Sequence, residues 1–196
     1  MAYNRDAAKE ISSRITKMVG SQHADQMPVG TFHSLGRRWL DRIYPNQWNM
    51  DRCTDLPRKS RAHGVPSTSM FWRHAVSFGS LPGSGRRTLG VSQEPHKYEQ
   101  QVNLFRADCI KASDRPSSSL RFLADAWEMV EEAKRLLEVW DFNDVLESWL
   151  DVLRTRPEGW MRVVIVDEAQ DNTRVRLEIA RALAGTNGRM VLVGDL

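Results

Sequence analysis

The chain has 196 residues, a formal net charge of +3 and a hydrophobic fraction of 41%, which together are typical of a globular domain. No apolar run reaches the roughly 18 residues that span a membrane, and the first residues show no signal-peptide pattern. Cys53 and Cys109 are far apart and form no paired motif, so a reducing, cytoplasmic location is expected.

The first part of the chain predicts two helices separated by an extended segment. Apolar side chains recur at helical spacing over residues 7–18, and Gly20 is expected to end this helix. Residues 27–32 are predicted to be a short strand or extended segment. A second helix is predicted over residues 34–43.

The middle of the chain, residues 45–120, is rich in Pro, Gly, Ser and Arg and has weak periodicity. We expect an insertion here, with a flexible loop at residues 82–87. This loop is glycine-rich, but it carries Arg86 where a phosphate-binding loop needs a lysine, and no buried strand precedes it. Phosphate binding by this loop is therefore not expected.

Two helices are predicted next. The first covers residues 122–140, and the second begins with Asp141 as its N-cap and runs to Leu153. The tryptophans at helical positions are predicted to be core residues rather than base-stacking groups.

The last part of the chain predicts a strand, a helix and a second strand. Residues 163–166 form a continuous β-branched run, which is typical of a strand buried on both faces in a parallel sheet. A helix is expected over residues 173–183, followed by another buried strand at residues 190–193. This order predicts a βαβ unit.

Two adjacent carboxylates, Asp167 and Glu168, follow the first of these strands. Ligands of open α/β sheets bind at the carboxyl ends of the strands. An NTPase uses one carboxylate to hold hydrated Mg²⁺ and a second to orient the attacking water, so the pattern favours nucleotide hydrolysis. The alternative is that Asp167 and Asp171 only cap the next helix, as acidic residues often do.

Several segments, in the right order, resemble motifs of the UvrD/Rep/PcrA-type superfamily 1 DNA helicases. Residues 163–171 resemble motif II, and residues 193–195 resemble the start of motif III. Residues 2–11 and 30–35 resemble motifs Ia and Ib, and residues 141–146 resemble the segment upstream of motif II.

This resemblance implies an α/β fold with a partial RecA-like P-loop NTPase parallel sheet and a mainly helical insertion. Residues 1–44 would form the N-terminal part of RecA-like domain 1A, with motifs Ia and Ib. Residues 45–120 would be the insertion, corresponding to subdomain 1B. Residues 121–196 would complete domain 1A with motif II and the start of motif III.

The resemblance also implies residue roles. Asp167 would bind Mg²⁺, Glu168 would activate the hydrolytic water, and Gln170 would lie near the γ-phosphate of ATP as part of the catalytic set. The track of single-stranded DNA would be lined by Tyr3, Asn4, Thr31, Phe32 and His33. Aromatic side chains stack on bases at about 1–3 kcal/mol per base, although Phe32 taken alone is as often a core residue.

The implied function is ATP-dependent translocation on single-stranded DNA and DNA unwinding. ATP and Mg²⁺ would be the cofactors. Single-stranded DNA and the remainder of the helicase, including domain 2A, would be the partners, with no membrane involved. The lysine-bearing phosphate loop that precedes motif Ia in this family does not occur in the sequence. We therefore expect the chain alone to be an inactive fragment. The alternatives are a non-catalytic DNA- or partner-binding remnant of the fold, and part of a helicase–nuclease subunit.

Overall fold

The structure is a computed structural model that describes residues 1–2, 4–45, 95–109, 127–128, 130–132, 134–135 and 140–195, without the side chains of residues 95–99. The chain divides into two compact units. The first combines Met1–Trp48 with Asp144–Leu196, and the second is Asn49–Asn143. Most of the predicted insertion, residues 45–120, lies outside the described residues.

The first helix, α1 (Arg5–Val19), confirms the helix predicted from the apolar spacing. It begins after Asn4, whose side-chain oxygen accepts a hydrogen bond from the backbone N–H of Ala7 at 2.8 Å. It ends at Gly20, which adopts the positive φ of 81° that glycine allows. A short helix, α2 (Ser21–Ala24), follows directly.

The next helix, α3 (Phe32–Ile43), begins two residues earlier than predicted. Thr31 is its N-cap, and its hydroxyl accepts a hydrogen bond from the N–H of Ser34 at 3.3 Å. The placement of Phe32 in an extended segment is therefore wrong. The extended segment is limited to an isolated parallel bridge between Ala2 and Thr31. Because Thr31 caps α3, the helix begins at Phe32 and the extended segment stays short.

The sheet consists of two parallel strands, β1 (Val163–Val166) and β2 (Arg189–Leu192). Backbone bonds extend this pattern beyond β1. The Met1 nitrogen donates to the carbonyl of Ile165, and the Asp167 N–H donates to the carbonyl of Met1 at 2.9 Å. Ala2 in turn donates to Gly30 at 3.1 Å. Four chain segments therefore run side by side in the order β2, β1, residues 1–2 and residues 30–31.

The helix between the strands is α6 (Arg174–Ala184), which begins at the N-cap Thr173. It packs against both strands, so the predicted strand–helix–strand order is confirmed. Two glycines, Gly159 and Gly185, let the loop before β1 pass close to the end of α6. A Cβ on Gly159 would stand 2.1 Å from the carbonyl oxygen of Ala184.

The prediction that both strands are buried on both faces is wrong. Val164 and Val166 are buried, but Val163 and Ile165 are 55% and 53% exposed, and the residues of β2 are at most half-buried. Val163 and Ile165 border an apolar cavity of about 410 Å³ whose other walls include Trp39. The β-branched sequence suits burial on both faces, but the described residues supply tight packing on only one.

The second unit contains a helix, α4 (Pro95–Ala107), and helical residues between 127 and 135. Its core holds two buried cations, Arg106 and Lys134, each with a side chain that is 3% exposed. Both donate to the same oxygen of the buried Asp141, at 2.9 and 3.0 Å respectively. Glu131 also accepts from Lys134, at 2.9 Å.

Asp141 immediately precedes the helix α5 (Phe142–Arg154), as predicted. The sequence predicts only a capping role for Asp141, whereas in the structure its carboxylate contacts two buried cations. Buried ionic groups are strongly destabilising when they lose a charged partner. The stability of the second unit therefore depends on Asp141.

We expect Asp141→Asn to lower the free energy of unfolding by at most about 3–5 kcal/mol, because Arg106 and Lys134 would lose the buried carboxylate that both contact and keep the more exposed Glu131. Urea unfolding followed by tryptophan fluorescence measures this change. The control is Glu132→Gln, which breaks an exposed pair with Arg135 and should leave stability unchanged within error. Equal effects of the two variants would contradict the role given to Asp141.

Candidate functional site at the carboxyl edge of the sheet

Parallel pairing brings the ends of four segments to one edge of the sheet. Asn4 follows the segment at residues 1–2, and Thr31 ends the neighbouring segment. Asp167 follows β1, and Gly194 lies just beyond β2. Because ligands of open α/β sheets bind at the carboxyl ends of the strands, this edge is the candidate functional site.

Asp167 and Glu168 form the turn that leaves β1. Asp167 is half-buried and Glu168 is exposed. Glu168 has φ 48° and ψ 53°, in the left-handed region that non-glycine residues seldom adopt. Asn172 holds this turn, because its side-chain amide donates to the carbonyl of Glu168 at 2.8 Å and to that of Asp167 at 3.3 Å. Local backbone strain of this kind is concentrated at functional sites.

Gln170 lies in the 3₁₀ turn Ala169–Asp171, directly after the carboxylate pair. Its amide nitrogen donates to a carboxylate oxygen of Glu168 at 2.6 Å. The adjacent N–H of Ala169 donates to the carbonyl of Val193 at 2.9 Å. The turn after β1 is therefore tied to the end of β2. The structure thus brings together the three residues predicted for nucleotide chemistry.

A metal ion at this edge would have few protein ligands. Among the residues that the structure describes, no three side chains of His, Cys, Asp or Glu converge. Mg²⁺ in nucleotide sites typically takes one or two carboxylates and completes its shell with water and phosphate oxygens. Asp167, the first residue beyond β1, fits that limited role.

The residues predicted to contact DNA have different environments. Tyr3 lies outside the described residues. Asn4 is exposed and Thr31 is half-buried, and each caps the helix that it precedes. Phe32 is only 2% exposed, and its ring centroid lies 5.9 Å from the guanidinium carbon of Arg176. The expectation that Phe32 lines the DNA track is corrected, because its ring has no free face for a base.

His33 is half-buried at the start of α3. Burial lowers its pKa to about 4, and the nearby positive charge of Arg176 acts in the same direction. The imidazole is therefore neutral at physiological pH. A neutral His33 offers a hydrogen bond rather than a charge to any ligand at this edge.

Three residues of the site were not singled out from the sequence. Asn172 fixes the left-handed turn, Arg176 lies close to Phe32 and His33, and Gly194 contacts Gln170. Asn172 has a weak sequence signal, since asparagine often bonds the backbone of a turn. Arg176 has none, and the resemblance of residues 193–195 to motif III does not reveal the contact of Gly194 with Gln170, because such roles depend on contacts between separate elements.

The fold and the site together define a class of protein: an α/β domain with a carboxylate pair at the carboxyl edge of a parallel sheet. The sequence matches the UvrD/REP helicase N-terminal domain over residues 1–196. The chain belongs to this family.

Individual relatives agree with the family match. The chain is 22% identical to the ATP-dependent DNA helicase Rep of Escherichia coli strain K12, with 100% of the chain and 28% of that protein covered. It is 26% identical to DNA helicase II of the same strain, over 100% of the chain and 26% of the relative. It is 23% identical to the ATP-dependent DNA helicase srs2 of Schizosaccharomyces pombe, over 98% of the chain and 23% of the relative. The chain thus spans about a quarter of the length of these relatives.

The described helices include none with the length and apolar character needed to cross a membrane.

We expect Glu168→Gly to be more stable than Glu168→Ala by about 1 kcal/mol. Both changes remove the carboxylate, but only glycine adopts the left-handed backbone without steric cost, and its greater freedom in the unfolded chain offsets part of the gain. Thermal or urea unfolding of the two variants gives the difference. If the alanine variant were the more stable, the left-handed turn would not exist in solution.

The lowered pKa of His33 predicts a pH-dependent stability. Between its ordinary value of 6.5 and its folded value of about 4, the unfolded chain binds a proton that the folded chain does not. Stability should therefore fall as the pH drops through this window, by an amount on the order of 3 kcal/mol at most. His33→Gln should remove this component of urea unfolding measured from pH 7 to pH 4. His23→Gln, at an exposed position of α2, is the matched control and should keep the wild-type slope.

Proposed function

We propose that the chain is part of the motor core of an ATP-dependent DNA helicase, which couples ATP hydrolysis to movement along single-stranded DNA and to unwinding. The observation that carries this proposal is the turn after β1, where Asp167, Glu168 and Gln170 meet at the carboxyl edge of a parallel sheet. Family membership over residues 1–196 supports it. The names of the relatives describe ATP-dependent DNA helicases.

The proposed architecture is a RecA-like domain interrupted by an insertion. Residues 1–44 and 121–196 would form domain 1A, and residues 45–120 would form the mainly helical subdomain 1B. The grouping of Met1–Trp48 with Asp144–Leu196 in one compact unit supports an interruption of this kind. Domain 2A would be supplied by the rest of the helicase.

The proposed chemistry follows the positions of the three polar residues. Asp167 would hold Mg²⁺, which would supply positive charge at the phosphates of ATP during transfer. Glu168 accepts a hydrogen bond from the attacking water and orients it. Gln170 donates to Glu168 at 2.6 Å, and its amide would respond to the γ-phosphate.

The proposed DNA track crosses the same edge of the sheet. Asn4 and Thr31 cap α1 and α3, so the positive ends of two helices begin at this edge. Helix N-termini of this kind favour phosphate groups. His33 is neutral and would contribute a hydrogen bond, and Tyr3 keeps its proposed stacking role. Phe32 is assigned to packing instead. The setting in which this takes place is proposed to be the cytoplasm.

We infer that the isolated chain is catalytically inactive, because no lysine-bearing phosphate loop occurs in residues 1–196. The competing function is a non-catalytic DNA- or partner-binding remnant of the helicase fold. The Asp167–Glu168 pair supports the catalytic function, since a binding module has no use for a strained glutamate at residue 168.

The purified chain should bind Mg²⁺–ATP weakly and should show no ATP hydrolysis stimulated by single-stranded DNA. In the product of the complete reading frame, Glu168→Gln should lower kcat for ATP by about 10²–10⁴-fold, because the water loses its orienting carboxylate. A coupled phosphate-release assay measures ATP hydrolysis by the purified chain and kcat of the variant. Glu10→Gln, at an exposed position of α1, is the matched control and should keep the wild-type rate.

Two outcomes would contradict the proposal. Robust DNA-stimulated hydrolysis by residues 1–196, abolished by Glu168→Gln, would overturn the inactivity of the isolated chain. An unchanged kcat of the Glu168→Gln variant of the complete protein would overturn the catalytic role of Glu168 and favour the binding remnant.

A further inference from the structure

Gly194 lies directly against the side chain of Gln170. A Cβ built on Gly194 would stand 2.1 Å from Oε1 of Gln170 and 3.0 Å from the backbone nitrogen of Ala169. Gly194 is not among the residues with positive φ, so its backbone conformation suits any residue. Glycine is therefore required at this position for space and not for conformation.

The space left by Gly194 fixes the orientation of the Gln170 carboxamide. A carboxylate only accepts hydrogen bonds, so the amide NH₂ of Gln170 must face Glu168 and its oxygen must face Gly194. The structure has this arrangement, with Nε2 of Gln170 2.6 Å from Oε2 of Glu168. Any side chain at residue 194 would occupy the position of the oxygen and displace the amide from Glu168.

The contact between Gly194 and Gln170 is held by two backbone bonds at the end of β2. The Val193 N–H donates to the carbonyl of Val166 at 2.9 Å, and the Val193 carbonyl accepts from the N–H of Ala169 at 2.9 Å. Val193 is thus joined to the last residue of β1 and to the turn that carries Gln170. The segment at residues 193–194 cannot shift without moving that turn.

We propose that Gly194 is a positioning residue that seats the Gln170 carboxamide on the Glu168 carboxylate. This inference rests on the proposed function, in which Glu168 orients the attacking water. The end of β2 would thereby control the orientation of a carboxylate that follows β1. Any movement of residues 193–194 would displace Gln170 and so change the orientation of the Glu168 carboxylate.

The geometry separates this role from a purely structural one. The atom that a new Cβ would meet at 2.1 Å is the far end of a flexible side chain, which can rotate away. Gly194→Ala should therefore fold, with a melting temperature within a few degrees of wild type, while Gln170 leaves Glu168. A change in Gln170 with an intact fold is the signature of a positioning residue.

The test is an NMR measurement of the side-chain amide signal of Gln170 in this chain. The signal is assigned to Gln170 because it is absent from the spectrum of Gln170→Ala. In the wild type, the amide proton bonded to Glu168 should be shifted downfield, and Glu168→Ala should remove that shift. Gly194→Ala should remove it to the same extent. Ser13→Ala, at an exposed position of α1, is the control and should leave the Gln170 signal unchanged. An unchanged Gln170 signal in Gly194→Ala would overturn the proposal.

A double variant covers the case in which Gly194→Ala does not fold. Gly194→Ala combined with Gln170→Ala removes the close approach to the glutamine, so recovery of a folded spectrum would support the contact with Gln170. Failure of this variant to recover would assign the glycine to the backbone contact with Ala169 and would overturn the positioning role.

Kinetics of the complete protein separate this inference from the proposed function. Gly194→Ala should lower kcat by at least about tenfold with a nearly unchanged KM for ATP, because a misplaced group loses orientation rather than binding. If the Gln170 signal is lost but kcat is unchanged, the contact does not position Glu168 for hydrolysis and this inference is overturned, while the proposed function keeps its own test in Glu168→Gln. If the signal is unchanged, only the role of Gly194 is overturned.

Discussion

Parallel backbone pairing around β1 is the constraint on which the site depends. β1 bonds to β2 on one side and to residues 1–2 on the other, and residues 30–31 join beyond them. Parallel segments all end at the same edge, so turns that are far apart in sequence become neighbours there. Val163 and Ile165 are exposed on one face of β1. Their exposure does not disturb the alignment of the strands, because backbone hydrogen bonds set that alignment. The position of each polar group of the site is set by the end of the segment that it follows.

Much of the fold could be predicted from the sequence because its signals are local. The apolar spacing of α1 and the β-branched run of β1 are each read within a few residues. The burial of the strand faces, by contrast, could not be predicted from the local sequence. A β-branched strand has the same sequence whether one face or both faces are covered, and only the surrounding elements decide between them. The buried ion pairs of Asp141 were invisible for the same reason, since their partner Arg106 comes from another helix.

The candidate site was predicted in part. The run from Asp167 to Asp171 predicts nucleotide chemistry because the residues proposed to act together are adjacent. The surface proposed for DNA was less accessible to sequence reasoning: Phe32 looks like a stacking residue, but the packing of α3 buries its ring. Gly194 has no side chain to attract attention. Its importance follows from what another residue places in the space beside it, and no sequence pattern records that.

The left-handed backbone of Glu168 has an evolutionary consequence. Glycine and asparagine occupy such a conformation at lower cost than glutamate, so folding stability alone favours replacing this residue. The proposed use of its carboxylate opposes that pressure. If the proposed hydrolysis were not selected for, this position would be expected to drift toward glycine or asparagine. The residue found at this turn in diverging descendants would therefore report whether the chemistry is still under selection, and this chain retains glutamate.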